Sequence, residues 1–297
     1  MAGELRITTV PELRSPVLVA AFRGWNDGAH GATLAVEYLS RMWHAERFAD
    51  IDPEEFFDFQ STRPHVSLVD GVTRKIDWPE TSFLHARPAG LDRDVVLMVG
   101  VEPNLRWRRF SSLVIDVARQ LGVELVVTLG ALLADVPHTR PVPVTGSASD
   151  PDLVQRLGLA ASRYEGPTGI VGVLHDAFRQ AAIPSASLWA AVPHYVSLTP
   201  SPRAAEALCT RLGELLGAEL DLTELAEAGR EYVEHVTEAV VSDAETQAYV
   251  EALEQQVDEL EEEASLPSGD SIAAELTRFL RDHDARQGGP DDAAREQ

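Results

Sequence analysis

The chain has 297 residues with 48 acids against 25 bases, so its formal net charge is −23 at pH 7. That excess of acid argues against binding a nucleic-acid backbone, because neutralising phosphates requires clustered cations. Cys209 is the single cysteine and Lys75 the single lysine, which excludes an internal disulfide, a thiolate zinc site and a phosphate loop ending in Gly-Lys-Ser/Thr.

Short apolar runs alternate with amphipathic segments over residues 1–218. The apolar runs predict buried strands at 17–22, 95–101, 125–129 and 187–192, with weaker strands at 56–60 and 66–69. The amphipathic segments predict helices at 28–42, 111–121, 151–157 and 202–216, and one more that opens near Thr168 and closes at Pro184. Continuous apolar strands separated by helices predict an α/β fold of three layers, in which a mostly parallel sheet carries helices on both faces.

The acidity is concentrated near the C-terminus, where residues 219–263 hold 16 acids and one base. Capping-box spacings at Asp221/Glu224 and Ser242/Glu245 predict two successive helices there, which we interpret as an acidic helical hairpin. Its charge fits either a solvated face or a docking surface for a basic partner. The predicted organisation is an α/β core domain over 1–218, the hairpin appendage over 219–265, and a short helix with a disordered tail over 266–297.

Polar side chains follow the predicted strands where each strand ends. Ligands of open parallel sheets collect at that edge, so these residues are candidates for one crevice that takes a ligand or a partner. Plain structural roles remain open for several of them: Asp27 as a helix cap, Trp25 as a core or interface residue, Arg140 as the ion-pair partner of Asp135, and His194 as a buried residue at a strand end. The candidates are Arg23, Trp25, Asn26, Asp27, Asn104, Asp135, His138, Arg140, His194 and Tyr195.

Catalytic signatures are weak. Ser147, His138 and Asp135 can be drawn as a nucleophile, base and acid, but Thr145-Gly146-Ser147 is not a Gly-x-Ser-x-Gly elbow and lacks the strand-to-helix context. The nine histidines are scattered, without a His-Glu-x-x-His pair. We therefore predict no catalytic residues, no metal site and no cofactor.

Six motifs in a fixed order carry a family resemblance: Gly24-Trp25-Asn26-Asp27-Gly28, Leu129-Gly130-Ala131, the run from Asp135 to Pro141, the run from Tyr164 to Gly169, Ser187-Leu188-Trp189-Ala190, and Pro193-His194-Tyr195. Together they resemble the proteasome assembly chaperone 2 family, in its branch from high-GC bacteria, over residues 10–265. The resemblance implies a three-layer α/β fold similar to nucleoside phosphorylases and peptidyl hydrolases, homo-oligomeric assembly, no catalysis, and a role in assembling the proteasome α-ring. Relatives that dock on the proteasome use a C-terminal hydrophobic-Tyr-X tail, whereas this chain ends in Arg295-Glu296-Gln297, which argues against that route.

The residues and the resemblance together predict a noncatalytic, homo-oligomeric interaction protein. Its expected partners are further copies of itself and proteasome α-subunits, with no nucleic acid and no membrane. The longest apolar runs fall far short of the roughly 20 residues of a membrane span, and the N-terminus carries no secretory signal, so we expect a soluble, cytoplasmic protein. The alternatives are a small-molecule hydrolase or phosphorylase that uses the crevice at the carboxyl ends of the strands, and a ligand-binding regulator without turnover.

Overall fold

The computed structural model describes residues 3–148, 151–161 and 165–265. Its strands are β1 (Leu5–Ile7), β2 (Val17–Arg23), β3 (Glu46–Ile51), β4 (His65–Val69), β5 (Thr73–Asp77), β6 (Thr81–Ala86), β7 (Val95–Val101), β8 (Leu125–Ala134), β9 (Val144–Ala148), β10 (Ala160–Ala161) and β11 (Ser185–Pro193). Its helices are α1 (Gly31–Met42), α2 (Trp107–Leu121), α3 (Pro151–Leu157), α4 (Ile170–Gln180), α5 (Pro202–Leu216), α6 (Thr223–Val241) and α7 (Ala244–Ser265), with single 3-10 turns at Gly28–His30 and Pro53–Glu55.

Four parallel strands form the centre of a nine-stranded sheet, in the order β1-β3-β6-β7-β2-β8-β11-β9-β10. Strands β7, β2, β8 and β11 run parallel, while β6, β3 and β1 on one side and β9 on the other pair antiparallel with their inner neighbours. The central strands are the four buried strands predicted from the sequence, because a parallel strand covered on both faces is apolar at every position.

Alternate residues of β2 enter two separate cores. Val17, Val19 and Ala21 pack in the core beneath α1 and α5, whereas Leu18, Ala20 and Phe22 pack in the core beneath α2 and α4. Side chains of a strand point to opposite faces in turn, so one short apolar run serves both helical layers. The three-layer α/β fold with helices on both faces of the sheet is therefore confirmed.

The predicted strand at 56–60 is wrong. A 3-10 turn at Pro53–Glu55 precedes this segment, with Asp52 as its cap, and no strand forms at 56–60. The aromatic residues that suggested a strand serve packing instead, since the ring of Phe56 lies edge-on to Phe110 with their centroids 5.6 Å apart. The weaker strand at 66–69 is confirmed as β4, which pairs with β5 in a separate two-stranded hairpin.

Two helices follow α5, as predicted, but neither begins with the predicted capping box. Before α6, Asp221 Oδ1 accepts hydrogen bonds from Thr223 N and Thr223 Oγ1, and Leu222 stands at the N-cap. The carboxylate of Asp243 accepts hydrogen bonds from Glu245 N and Thr246 Oγ1, while Ser242 Oγ donates back to Ala239 O. Asp243, and not Ser242, is therefore the side chain that caps α7.

Helix α6 belongs to a compact unit of residues 1–247, and the described part of a second unit is residues 248–265. Two tyrosine hydroxyls join α6 and the segment before it to the rest of this unit: Tyr38 donates to Asp221 O at 2.7 Å, and Tyr232 donates to Leu198 O at 3.2 Å. The domain boundary after residue 218 stays a prediction, and the helix and tail predicted over 266–297 lie outside the described residues. None of the described helices is long and apolar enough to cross a membrane.

Candidate functional site

A cavity of about 770 Å³ opens beside α4 and strands β11 and β9. This volume is in the range of pockets that hold drug-sized ligands. Two of the predicted crevice residues, Trp25 and Asn26, line it. Its other described lining residues are Leu132, Thr145, Ser147, Ala148, Gly166, Pro167, Thr168, Gly169, Val171, Gly172, His175, Ser187 and Trp189.

A row of hydroxyls crosses the sheet at the base of this cavity. Ser187 of β11 is in register with Thr128 of β8 and with Ser147 of β9, so the three side chains share one face of the sheet. The hydroxyls of Ser147 and Ser187 hydrogen-bond to each other at 2.9 Å. This placement puts Ser147 among other hydroxyls and away from His138.

His175 of α4 lies over the hydroxyl row and was missed by sequence reasoning. Its Nε2 is 2.9 Å from Thr128 Oγ1, and its Nδ1 is 2.8 Å from Ser185 Oγ. Burial lowers the pKa of His175 to about 4, because the charged imidazolium is poorly solvated there. The ring is therefore neutral at physiological pH and acts as a hydrogen-bonding group.

Two tryptophan side chains line this cavity, one on a strand and one on a loop. Trp189 of β11 is paired across the sheet with Gly130 of β8, and a Cβ added to Gly130 would lie 2.4 Å from the Cε3 atom of Trp189. The indole thus lies flat across the neighbouring strand, where only glycine leaves room. Trp25 stands on the loop after β2 and is 66% exposed.

The loop that carries Trp25 is fixed by Glu102, at the end of β7. One carboxylate oxygen of Glu102 accepts hydrogen bonds from Asn26 Nδ2 at 3.1 Å and from Ile170 N at 2.8 Å. A Cβ on Gly169 would lie 2.7 Å from that same oxygen, so a side chain at this position would displace the carboxylate. Glu102 thereby occupies the N-terminus of α4, where a carboxylate is favoured by the helix dipole.

Asp27 acts as a helix cap, which is the structural alternative to a role in ligand binding. Its buried carboxylate accepts the backbone N–H of Ala32 at 2.7 Å and also the N–H and hydroxyl of Thr33. Desolvation by burial raises the pKa of Asp27, and the hydrogen bonds from Thr33 and Ala32 oppose that rise. Asp27 thus supports the first turn of α1, which begins at Gly31 after the 3-10 turn.

Five of the predicted residues gather in a second cluster near α5 and α6: Asp135, His138, Arg140, His194 and Tyr195. Both ring nitrogens of the buried His138 are engaged, Nδ1 with the hydroxyl of Tyr195 at 2.9 Å and Nε2 with Thr237 Oγ1 at 3.0 Å. The guanidinium of Arg203 donates to the carbonyls of His138 and Arg140. These contacts hold the loop after β8 against α5 and α6, which gives His138 a structural role.

His194 of this cluster is exposed, which differs from the buried position considered for it. Its Nδ1 lies 3.2 Å from the carboxylate of Asp135, and both side chains are accessible to solvent. The ring nitrogens of His138 hydrogen-bond to Tyr195 and Thr237, and the hydroxyl of Ser147 bonds to Ser187, so these hydrogen bonds do not link Ser147, His138 and Asp135 as a catalytic set.

Arg23 and Asn104 lie apart from both groups. The guanidinium of Arg23 is 3.3 Å from the carboxylate of Glu37, and both side chains are exposed. Asn104 Oδ1 accepts hydrogen bonds from Asp58 N and Thr62 Oγ1, each at 3.0 Å, and so fixes the loop at 58–62. The ten predicted residues therefore lie in several different environments. Among the described residues, no group of His, Cys, Asp and Glu could hold a metal ion.

The fold and the cavity define a class of protein. It is a three-layer α/β domain with a pocket beside the central strands, and Gly166, Gly169 and Gly172 are among the residues that line this pocket. The chain belongs to the PAC2 family, whose sequence model matches residues 21–240. This confirms the resemblance carried by the six ordered motifs.

Two of the similar solved structures come from high-GC bacteria. A PAC2 family protein from Streptomyces avermitilis is 50% identical, with a TM-score of 0.73 over 79% of this chain and 99% of that one. Mycobacterium tuberculosis Rv2125, described as a proteasome-assembly chaperone homologue, is 48% identical, with a TM-score of 0.72 over 79% of this chain and 99% of its own. Pyrococcus furiosus PbaB, an archaeal proteasome activator, is 17% identical with a TM-score of 0.64 over 79% of this chain and 97% of its own, a likeness of fold alone. No curated protein matches the chain.

Proposed function

We propose that this protein is a noncatalytic, homo-oligomeric interaction protein that acts in proteasome assembly or regulation. The observation that carries the proposal is the 48% identity to Mycobacterium tuberculosis Rv2125, described as a proteasome-assembly chaperone homologue, over 99% of that chain. Identity at this level over a whole domain means that the two proteins share a fold. That they also share a role in proteasome assembly is our proposal.

The hairpin of β4 and β5 supports a role in protein contacts. Val66 and Leu68 point to one face of it, where Ile76 lies opposite Val66 and Arg74 lies opposite Leu68. Val66, Leu68 and Ile76 are 64%, 62% and 55% exposed. The opposite face is mostly polar and includes Lys75, whose ammonium is 2.6 Å from Asp77. The hairpin is therefore amphipathic with its apolar face in water, an arrangement that marks an interaction surface.

We assign this apolar face to the contact between copies of the chain. A two-stranded hairpin is barely stable on its own, and it gains stability when its apolar face packs against another surface. Since every residue of β4 and β5 is exposed in the single chain, packing onto a second copy would supply that surface.

The cavity supports binding better than turnover. The ring of His175 contacts two hydroxyls and has a pKa of about 4, which makes it a weak general base near neutral pH. The described lining includes no arginine and no lysine, the side chains that hold a phosphate during phosphorolysis. These features weigh against the hydrolase and phosphorylase alternatives.

Light scattering after size-exclusion chromatography tests the homo-oligomer. We expect the full-length protein to elute as a multimer and Val66→Asp to shift it to smaller species, because a carboxylate opposite Ile76 is costly to bury in an apolar contact. Thr73→Asp is the matched control, since Thr73 is exposed on the polar face of the same hairpin. A wild-type monomer, or equal behaviour of the two variants, would contradict the assigned contact.

Affinity purification of the tagged full-length protein from a lysate of its host tests the proteasome role. We expect proteasome α-subunits to be enriched over a tag-only control when the bound proteins are identified by mass spectrometry. Recovery of the protein alone would contradict the proteasome role and leave the homo-oligomer standing.

A further inference from the structure

We propose that the cavity beside α4 binds an uncharged, planar aromatic small molecule of about two fused rings. The inference goes beyond the proposed role in protein assembly, and it rests on the two indoles, the hydroxyl row and the charge of the lining.

The indoles supply the stacking surface. Trp25 is 66% exposed, although its loop is held by Asn26, which is 2% exposed and bonded to Glu102. A large apolar ring held at the rim of a cavity by a fixed loop is ready to cover an aromatic ligand without further ordering. Trp189 offers a second, half-buried indole, which Gly130 allows to lie flat over the sheet.

The charge of the lining selects an uncharged ligand. Among the described lining residues none is Arg, Lys, Asp or Glu, and His175 is neutral at pH 7. The N-terminus of α4 would attract an anion, but the carboxylate of Glu102 already accepts the N–H of Ile170 there. A charged ligand would lose its hydration in this cavity without gaining a counter-charge from the described lining residues.

The hydroxyls orient the ligand. Thr145, Ser147 and Ser187 line the cavity together, and a hydroxyl can donate or accept a hydrogen bond. Ser147 and Ser187 already share one hydrogen bond, which leaves each oxygen able to make another. An amide or carbonyl at the edge of the aromatic ring matches this set.

A matched pair of probes tests the inference on the full-length protein: quinoline-2-carboxamide, which is uncharged, and quinoline-2-carboxylate, which has the same rings and a negative charge. Saturation-transfer NMR titrations in 0.5 M NaCl screen the net charge of the protein, so that a difference reflects the cavity itself. We expect saturable binding of the carboxamide and at least about tenfold weaker binding of the carboxylate, a difference of about 1.4 kcal/mol.

Two variants locate the bound probe. Trp25→Ala removes an exposed ring and should weaken carboxamide binding by about three- to tenfold, as expected for a lost aromatic pair. Thr145→Trp fills the cavity from an exposed strand position and should abolish binding, with the melting temperature as the check that each variant folds. Trp78→Ala, at an exposed tryptophan that packs on Phe59, should bind like the wild type.

Three results would overturn the inference. They are the absence of saturable carboxamide binding, equal affinity for the carboxylate, and binding that both Trp25→Ala and Thr145→Trp leave unchanged. Because none of these readouts depends on the oligomer or on the proteasome, failure here is distinguishable from failure of the proposed function.

Discussion

The carboxylate of Glu102 accepts the backbone N–H of Ile170 at 2.8 Å and so joins the end of β7 to the first turn of α4. The same oxygen accepts the side-chain amide of Asn26, which fixes the loop after β2. One side chain therefore positions both the rim of the cavity and the helix that carries His175.

We expect two substitutions of Glu102 to destabilise the fold to different extents. Glu102→Gln keeps an acceptor but removes the charge at the helix N-terminus, and we expect it to lower the free energy of unfolding by about 1 kcal/mol. Glu102→Ala also leaves Ile170 N and Asn26 Nδ2 without this acceptor, for a loss of about 2–3 kcal/mol. Urea denaturation measures both changes. Glu46→Gln, at an exposed glutamate on β3, is the control and should stay within about 0.5 kcal/mol of the wild type.

A methyl group at Gly130 should displace the indole of Trp189. The added Cβ would lie 2.4 Å from the Cε3 and Cζ3 atoms, so we expect Gly130→Ala to lower the free energy of unfolding. Overpacking of this kind costs about 1–3 kcal/mol. A double-mutant cycle with Trp189→Ala checks the cause: the loss from Gly130→Ala should largely disappear once the indole is gone, and strict additivity would refute the clash.

The parts of this fold that the sequence predicts are those that bury long apolar runs. Strands β2, β7, β8 and β11 are apolar at nearly every position, whereas β6, with the sequence Thr-Ser-Phe-Leu-His-Ala, and the three-residue β1 are too polar or too short to be recognised. The error at 56–60 has the opposite cause. Its phenylalanines resemble a strand because a residue type that packs in a core also favours strands.

The sequence predicts two loop residues of the candidate site, but it does not predict the contacts between side chains there. Trp25 and Asn26 follow from the rule that ligands collect at strand ends, and both line the cavity. His175 was missed because its partner Thr128 is 47 residues away along the chain, and no local pattern reports that contact. His138 shows the reverse case, since a histidine that suits catalysis by type is held in place by Tyr195 and Thr237.

Acid should destabilise the protein partly through His175. Burial holds the pKa of this ring at about 4, below the ordinary value of 6.5, so the unfolded chain takes up the proton first as the pH falls. The stabilisation is complete above about pH 6.5 and is lost between about pH 6.5 and pH 4, by about 2 kcal/mol after allowance for the partial exposure of the ring.

The test compares the wild type with His175→Gln, which keeps hydrogen-bonding capacity without a proton that titrates in this range. The free energy of unfolding, measured by urea denaturation at half-unit pH steps, should fall more steeply for the wild type between pH 6.5 and pH 4. Parallel pH profiles for the two proteins would show that His175 is not held neutral by the fold.

The contact between Thr237 and His138 should contribute to anchoring α6. Thr237 Oγ1 donates to Val233 O within its own helix and lies 3.0 Å from the Nε2 atom of the buried His138. Thr237→Val keeps the shape and removes the hydroxyl, so we expect the free energy of unfolding to fall by about 1–2 kcal/mol. Thr210→Val is a close match on α5, since Thr210 donates to Glu206 O in the same way but is exposed. Because only Thr237 also contacts the loop after β8, equal losses in the two variants would mean that the bond to His138 contributes nothing to holding α6 in place.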